Sequence, residues 1–194
     1  YILFYDLNQT SSAFNKLHSV KEKGYYSYQW NLMMTDIFIS QGKFESASKY
    51  CQQALKLSSH KDIEKRKAAI DMVLMPKSAS RILLEKKAFF KDVEFDLMII
   101  LNYLALQNYE KGIEYSDMVL NQEIPLFAKI YILMMKSYAL FKNGGEYFSC
   151  WKSIGYILPG YFNVESYEPR LKRLGELLLI YAEYIDDDRF IERN

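Results

Sequence analysis

Glycine, proline and cysteine are scarce in this chain of 194 residues, which contains 8, 4 and 2 of them. So few glycines and prolines exclude a collagen-like or low-complexity chain, and a hydrophobic share of 50% excludes a disordered one. A disulfide-stapled secreted scaffold of this size would need more cysteines than Cys51 and Cys150. The composition therefore indicates one or at most two folded domains, in a reducing compartment such as the cytoplasm.

An excess of one charge and a long apolar run are also missing. The 25 Lys and Arg residues nearly balance the 24 Asp and Glu residues, and this net charge of +1 predicts no direct contact with nucleic acid. Apolar runs such as the one at 97–101 are far shorter than the roughly 18 to 20 residues of a membrane span. Because the sequence begins at Tyr1 in the middle of an apolar pattern, we expect it to be a fragment of a longer chain.

Apolar residues recur at spacings of three and four along most of the chain. Trp30, Met34 and Ile37 belong to one such stripe, and this period is typical of α-helices. Glycine, proline and small polar residues fall between the stripes and divide the chain into segments of ordinary helix length. The pattern predicts an all-α protein with helices at 10–20, 25–40, 44–57, 62–75, 78–90, 93–106, 109–121, 126–142, 146–158 and 167–186.

A small residue recurs near the start of every second predicted helix. The five small residues are spaced 34, 32, 33 and 37 positions apart. A small side chain lets two helices approach closely, and a large apolar residue stands nine positions before each one. The small residues are Ala13, Ala47, Ala79, Gly112 and Ser149, and the large ones are Phe4, Phe38, Ile70, Tyr103 and Leu140.

With these two columns the sequence resembles the tetratricopeptide-repeat family, whose helix–turn–helix units recur about every 34 residues. The best match is the unit from Trp30 to Leu57, and the unit at 96–120 is the next best. The matching residues are Thr35, Phe38, Gly42, Phe44, Ala47 and Ala54 in the first unit, and Tyr103, Tyr109 and Gly112 in the second. The resemblance implies a right-handed α-solenoid of about five helix pairs, forming a single domain over residues 1–194.

Residues that could perform catalysis or hold a metal are few. The two histidines, His18 and His60, have no Cys, Ser or Asp at a spacing that would form a catalytic set, apart from Cys51 nine residues before His60. The acidic run at 186–188 lacks the glycine and the distal glutamate of a calcium loop. No glycine-rich phosphate loop or zinc-ligand spacing is present. We therefore expect neither an enzyme nor a cofactor or metal site.

Charge is distributed unevenly although it sums to nearly zero. Residues 61–91 carry a net charge of +5, and residues 92–123 carry −6. One interpretation is a docking face for an acidic segment of a partner, with Lys61 and Lys65 as the best candidates because residues four apart share a helix face. The alternative is that charges of adjacent repeats balance one another.

Aromatic residues give a second set of candidates. The chain has 17 Tyr and 12 Phe, and Tyr26 and Trp30 share one face of a predicted helix. These two side chains could contact a bound peptide, or they could pack in the core between helix layers.

The resemblance implies a non-catalytic scaffold or adaptor that binds another protein or peptide on the concave face of the repeats. An alternative from a different class is the sensory, peptide-binding repeat domain of a transcription regulator whose effector domain lies outside this sequence. Exposed end repeats would also allow the chain to self-associate.

Overall fold

The computed structural model describes residues 10–19 and 27–157. Within these ranges the protein is all-α and contains no strand, which confirms the prediction of an all-α protein. Phe4, Tyr26 and the predicted helix at 167–186 lie outside the described residues, as does the acidic run at 186–188. The described helices are α1 (Thr10–Ser19), α2 (Tyr28–Ser40), α3 (Phe44–Leu57), α4 (Lys61–Leu74), α5 (Pro76–Phe90), α6 (Val93–Ala105), α7 (Tyr109–Leu120), α8 (Leu126–Lys142) and α9 (Phe148–Ile157).

Local sequence signals explain where several helices begin. The hydroxyl of Ser27 accepts a hydrogen bond from the backbone N–H of Trp30 at 3.0 Å, and so caps α2. Asp92 caps α6 in the same way, because its Oδ1 accepts from the backbone N–H of Glu94 at 3.0 Å. Pro76 is the first residue of α5, a position where the missing N–H has no helical partner to lose.

The turn between α2 and α3 is the one that the sequence predicted. Gly42 adopts a φ of 68°, a left-handed conformation that is unfavourable for any residue with a Cβ atom. Its N–H donates to the carbonyl of Ile39, and the N–H of Lys43 donates to the carbonyl of Phe38, each at 2.9 Å. The chain reverses within three residues, and Phe44 begins α3. Gly42 and Phe44 therefore occupy the predicted positions.

The first compact unit, Tyr1–Leu106, contains α1 to α6. From α2 to α6 each helix packs on the next, and α1 packs on α2. Alternate helices also touch: α4 contacts both α2 and α6. A core cluster involving α2, α3 and α4 is built from Ala47, Cys51, Ala54, Ile63 and Ile70, all fully buried. From α2 to α6 each helix therefore contacts at least two others.

The small-residue positions are buried in the first four predicted repeats. Ala13, Ala47, Ala79 and Gly112 are inaccessible to solvent or nearly so, as the argument from close helix approach requires. Among the larger predicted packing residues, Phe38 and Tyr103 are half-buried. The aromatic ring of Phe38 stacks on Tyr50 with centroids 5.4 Å apart and meets Phe14 edge-on at 5.8 Å.

The second compact unit, Gln107–Asn194, contains α7, α8 and α9 among the described residues. Tyr109 begins α7 as predicted, and its ring meets Tyr138 of α8 edge-on at 6.4 Å. A second core cluster lies between α8 and α9 and consists of Ile130, Leu133, Cys150, Trp151 and Ile154.

The prediction that Ser149 is the fifth closely packed small residue is wrong. Ser149 is exposed, whereas the next residue, Cys150, is buried. At the start of α9, Glu146 Oε1 accepts hydrogen bonds from the N–H groups of Phe148 and Ser149 at 2.7 and 3.3 Å. Cys150 and Trp151 are the residues of this turn that pack against Ile130 and Leu133 of α8, and this packing leaves Ser149 on the outer side.

Two further expectations concern the whole chain. In the part of the chain that the structure describes, no helix is long and apolar enough to cross a membrane. The division into two units does not test the prediction of a single repeat domain, because each repeat of a linear stack contacts mainly its neighbours.

Candidate functional site

Trp30, a predicted peptide-contacting residue, belongs to the core. Its side chain is 4% exposed, and its Nε1–H donates to the carbonyl of Leu17 at 3.1 Å. Its ring meets Tyr50 edge-on with centroids 5.5 Å apart. A side chain that is buried and hydrogen-bonded within the chain has no surface to offer a partner. The core alternative is therefore correct for Trp30; Tyr26, its predicted companion, lies outside the described residues.

Lys61 and Lys65 lie on one face of α4, as predicted, but both point towards carboxylates of this same chain. Lys65 Nζ lies 2.8 Å from Asp92 Oδ2 and 2.9 Å from Glu94 Oε2, and its side chain is 13% exposed. Lys61 Nζ lies 3.5 Å from Asp92 Oδ2 and stays half exposed. The charge of Lys65 thus joins α4 to the start of α6, and only Lys61 keeps substantial access to solvent.

The pKa values of this cluster shift in the directions expected for ion pairs. Burial alone would raise the pKa of Asp92, but the hydrogen bond and charge of Lys65, with the N–H of Glu94, outweigh burial and lower it. Burial would lower the pKa of Lys65, but its hydrogen bonds to Asp92 and Glu94 raise it. Both groups are therefore charged near neutral pH.

A second ion pair joins α4 to α2. The guanidinium of Arg66 donates from Nε to Asp36 Oδ1 at 2.5 Å and from Nη2 to Asp36 Oδ2 at 2.8 Å, which is the two-bond geometry that arginine favours. Its Nη1 also donates to the carbonyl of Asp62 at 3.0 Å. Beside this pair, the hydroxyl of Tyr28 is buried, and burial together with Asp62 raises the pKa of that hydroxyl. Three alternate helices, α2, α4 and α6, are thus tied together by charge.

Most of the basic block at 61–91 is also paired. Of its nine basic residues, seven form ion pairs among the described residues. Five of the seven pair with a carboxylate of another helix or its cap, which agrees with the alternative that neighbouring helices balance one another's charge, and two pair within their own helix. Besides Lys61, Lys65 and Arg66, the pairs are Lys67 with Asp71, Arg81 with Glu85, Lys86 with Glu64, and Lys87 with Asp96. The two without an ion pair in this part of the chain, Lys77 and Lys91, belong to α5 and its C-cap.

An apolar strip that the sequence analysis did not single out lies on α6. Leu97, Leu101 and Leu104 follow the spacing of four and three that places residues on one helix face. Leu101 is 47% exposed, and its two companions are partly exposed. Glu94, which pairs with Lys65, begins the same face. The spacing in the sequence could have identified the strip, but a half-exposed leucine looks like any core leucine until its neighbours are known.

The thiol and imidazole groups do not form a reactive set. Burial raises the pKa of Cys51 to about 12, so its thiol is protonated and a weak nucleophile at neutral pH. Its Sγ lies 3.7 Å from the carbonyl of Ile63. His60 is exposed and caps α4, where its Nδ1 accepts from the N–H of Asp62 at 3.4 Å. Among residues 10–19 and 27–157, no cluster of His, Cys, Asp and Glu could hold a metal ion.

The site that the structure offers is therefore a surface. It is formed by α2, α4 and α6, which ion pairs hold side by side, and it carries the apolar strip of α6 and the half-exposed Lys61. We call it the first-helix surface. Comparison of the chain with protein-family models, with curated proteins and with solved structures finds no match.

Proposed function

We propose that this chain is an α-solenoid of helix pairs similar to tetratricopeptide repeats, and that it binds another protein or peptide on the first-helix surface without catalysing a reaction. The contact of α4 with both α2 and α6 supports the solenoid, because stacking of successive pairs brings first helices side by side. The buried small residues at Ala13, Ala47, Ala79 and Gly112 support the repeat register.

Rigidity of the surface favours binding. The bond pair between Arg66 and Asp36 fixes α4 to α2, and the contacts of Lys65 with Asp92 and Glu94 fix α4 to α6. A partner that docks on a surface already held in place loses less conformational entropy than one that must order it.

The exposure of Leu101 on α6 is the main support for this proposal. A leucine nearly half exposed, between two partly exposed leucines on one helix face, offers apolar area that a partner can cover. Lys61 on α4 adds a half-exposed positive charge 3.5 Å from Asp92, at the start of α6. The chemistry fits a peptide segment with large apolar side chains and a nearby carboxylate.

The test uses peptides selected from a random library for binding to the whole chain. We expect Leu101→Asp to weaken binding of the selected peptides by at least about tenfold, because one fully covered leucine is worth roughly 1.5 to 3 kcal/mol. Leu57→Asp is the matched control, since Leu57 is 48% exposed at the end of a second helix, α3. Peptides that respond to Leu57→Asp and ignore Leu101→Asp would refute the proposed surface.

A further inference from the structure

One side of α5 is exposed along the whole length of the helix. Its residues follow spacings of three and four, which place them opposite the buried Ala79 and Leu83. The helix packs on α4 and α6 within the first compact unit, and those contacts leave this side open. We call it the outer face of α5. Its charged and apolar members are Lys77, Arg81, Leu84, Glu85, Ala88 and Phe89.

Two large apolar side chains of the outer face are in contact with water. Phe89 is 78% exposed and Leu84 is 43% exposed. The ring of Phe89 meets Phe90 edge-on at 4.8 Å, and Phe90 stacks on Phe95 of α6 at 5.8 Å. Phe89 therefore stands on a packed base and presents its ring outwards. A partner that covers Leu84 and Phe89 gains free energy from their burial.

The charges of the outer face are separated along the helix. Lys77 and Arg81 lie before position 83, and Glu85 lies after it. Lys77 forms no ion pair among the described residues. Arg81 and Glu85 approach each other only to 3.7 Å, and their side chains are 86% and 68% exposed. Such an exposed pair contributes little to stability, so both charges remain accessible to a partner.

This order of charges makes the outer face complementary to itself. When two copies of a helix pack antiparallel about a two-fold axis, residues equally distant from the axis on its opposite sides come to the same height. With the axis at position 83, Arg81 of each copy stands at the height of Glu85 of the other, and this contact occurs twice. Lys77 comes to the height of Phe89, where its methylene chain can cover part of the ring.

Leu84 takes the central place in this arrangement. It lies one residue step, about 1.5 Å of helix, from the axis, so the two copies of Leu84 meet each other. The small side chain of Ala88 lets the helices approach closely. The result is an apolar centre with opposite charges on either side of it, which is the usual composition of a protein interface.

We propose that the outer face of α5 docks antiparallel on the outer face of α5 in a second copy of this chain, which forms a two-fold dimer. One helix face from each copy makes a small interface, so the dissociation constant should be of the order of 100 μM at low salt. None of these residues belongs to the first-helix surface, so the inference goes beyond the proposed function and is independent of it.

A second copy fits the outer face better than an anionic membrane or an acidic peptide. Membrane attachment by charge uses clusters of about four to eight basic residues, whereas the outer face has Lys77 and Arg81 and also the acidic Glu85. An acidic peptide pairs with the first half of the face and meets a like charge at Glu85. A second copy satisfies both halves at once.

The test is charge exchange, measured by sedimentation equilibrium of the whole chain. Arg81→Glu places carboxylates opposite one another at both contacts, and Glu85→Arg places guanidinium groups there. We expect each change to raise the dimer dissociation constant at least about tenfold. Both changes in one chain restore opposite charges, so the double variant should regain the parent constant within about threefold. An equimolar mixture of the two single variants should form a heterodimer for the same reason.

The matched control is Lys49→Glu on α3. Lys49 is exposed and stands four residues from the exposed Glu45, so the change reverses the same charge beside the same kind of neighbour. It should leave the dimer dissociation constant unchanged. Circular dichroism and a melting curve establish that each variant is folded.

Cross-linking locates the axis. Under a mild oxidant, Leu84→Cys should form a disulfide between two copies at least about tenfold faster than Leu57→Cys, because only a residue near the axis meets its own copy. Leu57 is a suitable reference because its exposure, 48%, is close to the 43% of Leu84. The native Cys51 and Cys150 are buried and do not compete.

Four results would each overturn the proposal. The first is a parent chain that stays monomeric at low salt and about 1 mM, well above the expected dissociation constant. The second is a folded double variant that fails to regain the association lost in the single variants. The third is equal cross-linking at positions 57 and 84. The fourth is recruitment of the monomer to vesicles of anionic lipid that Arg81→Glu abolishes.

Discussion

The ion pair between Asp36 and Arg66 should contribute measurably to the coupling of α2 to α4. Two N–H···O bonds join the side chains, which are 13% and 27% exposed. Exposed pairs contribute about 0.2 to 1 kcal/mol, and breaking a fully buried pair costs about 3 to 5 kcal/mol. For a partly buried pair with two charge-assisted bonds we expect a coupling free energy of about 1 to 3 kcal/mol.

A double-mutant cycle isolates this free energy. The variants are Asp36→Asn, Arg66→Gln and the combination, and the free energy of unfolding comes from urea titration at neutral pH. The single change at Arg66 also removes the hydrogen bond to the carbonyl of Asp62, but that loss cancels in the cycle. Because the pair is shielded from solvent, the coupling should persist when about 1 M salt shortens the Debye length to roughly 3 Å.

The pair of Arg81 and Glu85 provides the control cycle. It lies on the exposed side of α5 with its closest atoms 3.7 Å apart, and we expect a coupling below about 0.5 kcal/mol. Equal couplings in the two cycles would refute the argument that burial and two-bond geometry make the Asp36 pair the stronger one. A coupling that disappears in high salt would show that Asp36 and Arg66 are solvated in solution.

Two further predictions concern the packing and the acid stability of the fold. Ala47→Leu should lower the free energy of unfolding by about 1 to 3 kcal/mol because it overpacks a fully buried contact. Ser149→Leu, at an exposed position, should change that free energy by no more than about 0.5 kcal/mol, and thermal melting of the two variants compares them. A Ser149→Leu variant that melts as low as Ala47→Leu would contradict the corrected register of α9. Asp92→Asn should lower the free energy of unfolding at neutral pH. This loss relative to the parent should shrink as the pH falls below the ordinary aspartate pKa of 3.8, because the lowered pKa of Asp92 means that the fold stabilises only its ionised form. Urea titrations of both proteins across this range check it, and a difference that is constant with pH would count against the ion pair with Lys65.

Sequence periodicity predicted the helices and the turn at Gly42 because both depend on local chemistry. A left-handed turn needs glycine, and an apolar stripe of period 3.6 needs a helix. The burial of Ala47, Ala79 and Gly112 was predictable for the same reason, since close approach of two helices needs a small residue at a fixed interval. Ser149 failed because α9 buries Cys150 and Trp151 against α8, and which residues of a turn face a neighbouring helix is not fixed by the repeat period.

Which face of a helix meets which neighbour could not be predicted in the same way. The position of Trp30 on its helix was readable, but its burial depends on the carbonyl of Leu17 and the ring of Tyr50, which come from other helices. The strip of leucines on α6 was missed because exposure is a property of the assembled fold. The choice between a scaffold and the sensory domain of a regulator stays a prediction, since both would use the same kind of surface.

Summed charge misled the sequence analysis because a block of sequence does not coincide with a surface. The +5 block at 61–91 covers two helices, α4 and α5. On the first helix, α4, the basic side chains meet carboxylates of α2, of α6 and of α4 itself. On the second, α5, Lys77 has no such partner among the described residues and Arg81 has only an exposed one. Most of the charge in the block is therefore cancelled by carboxylates of neighbouring helices, as it is for Lys86 and Lys87 of α5, whereas Lys77 and Arg81 on the same helix have no such interhelix partner among the described residues.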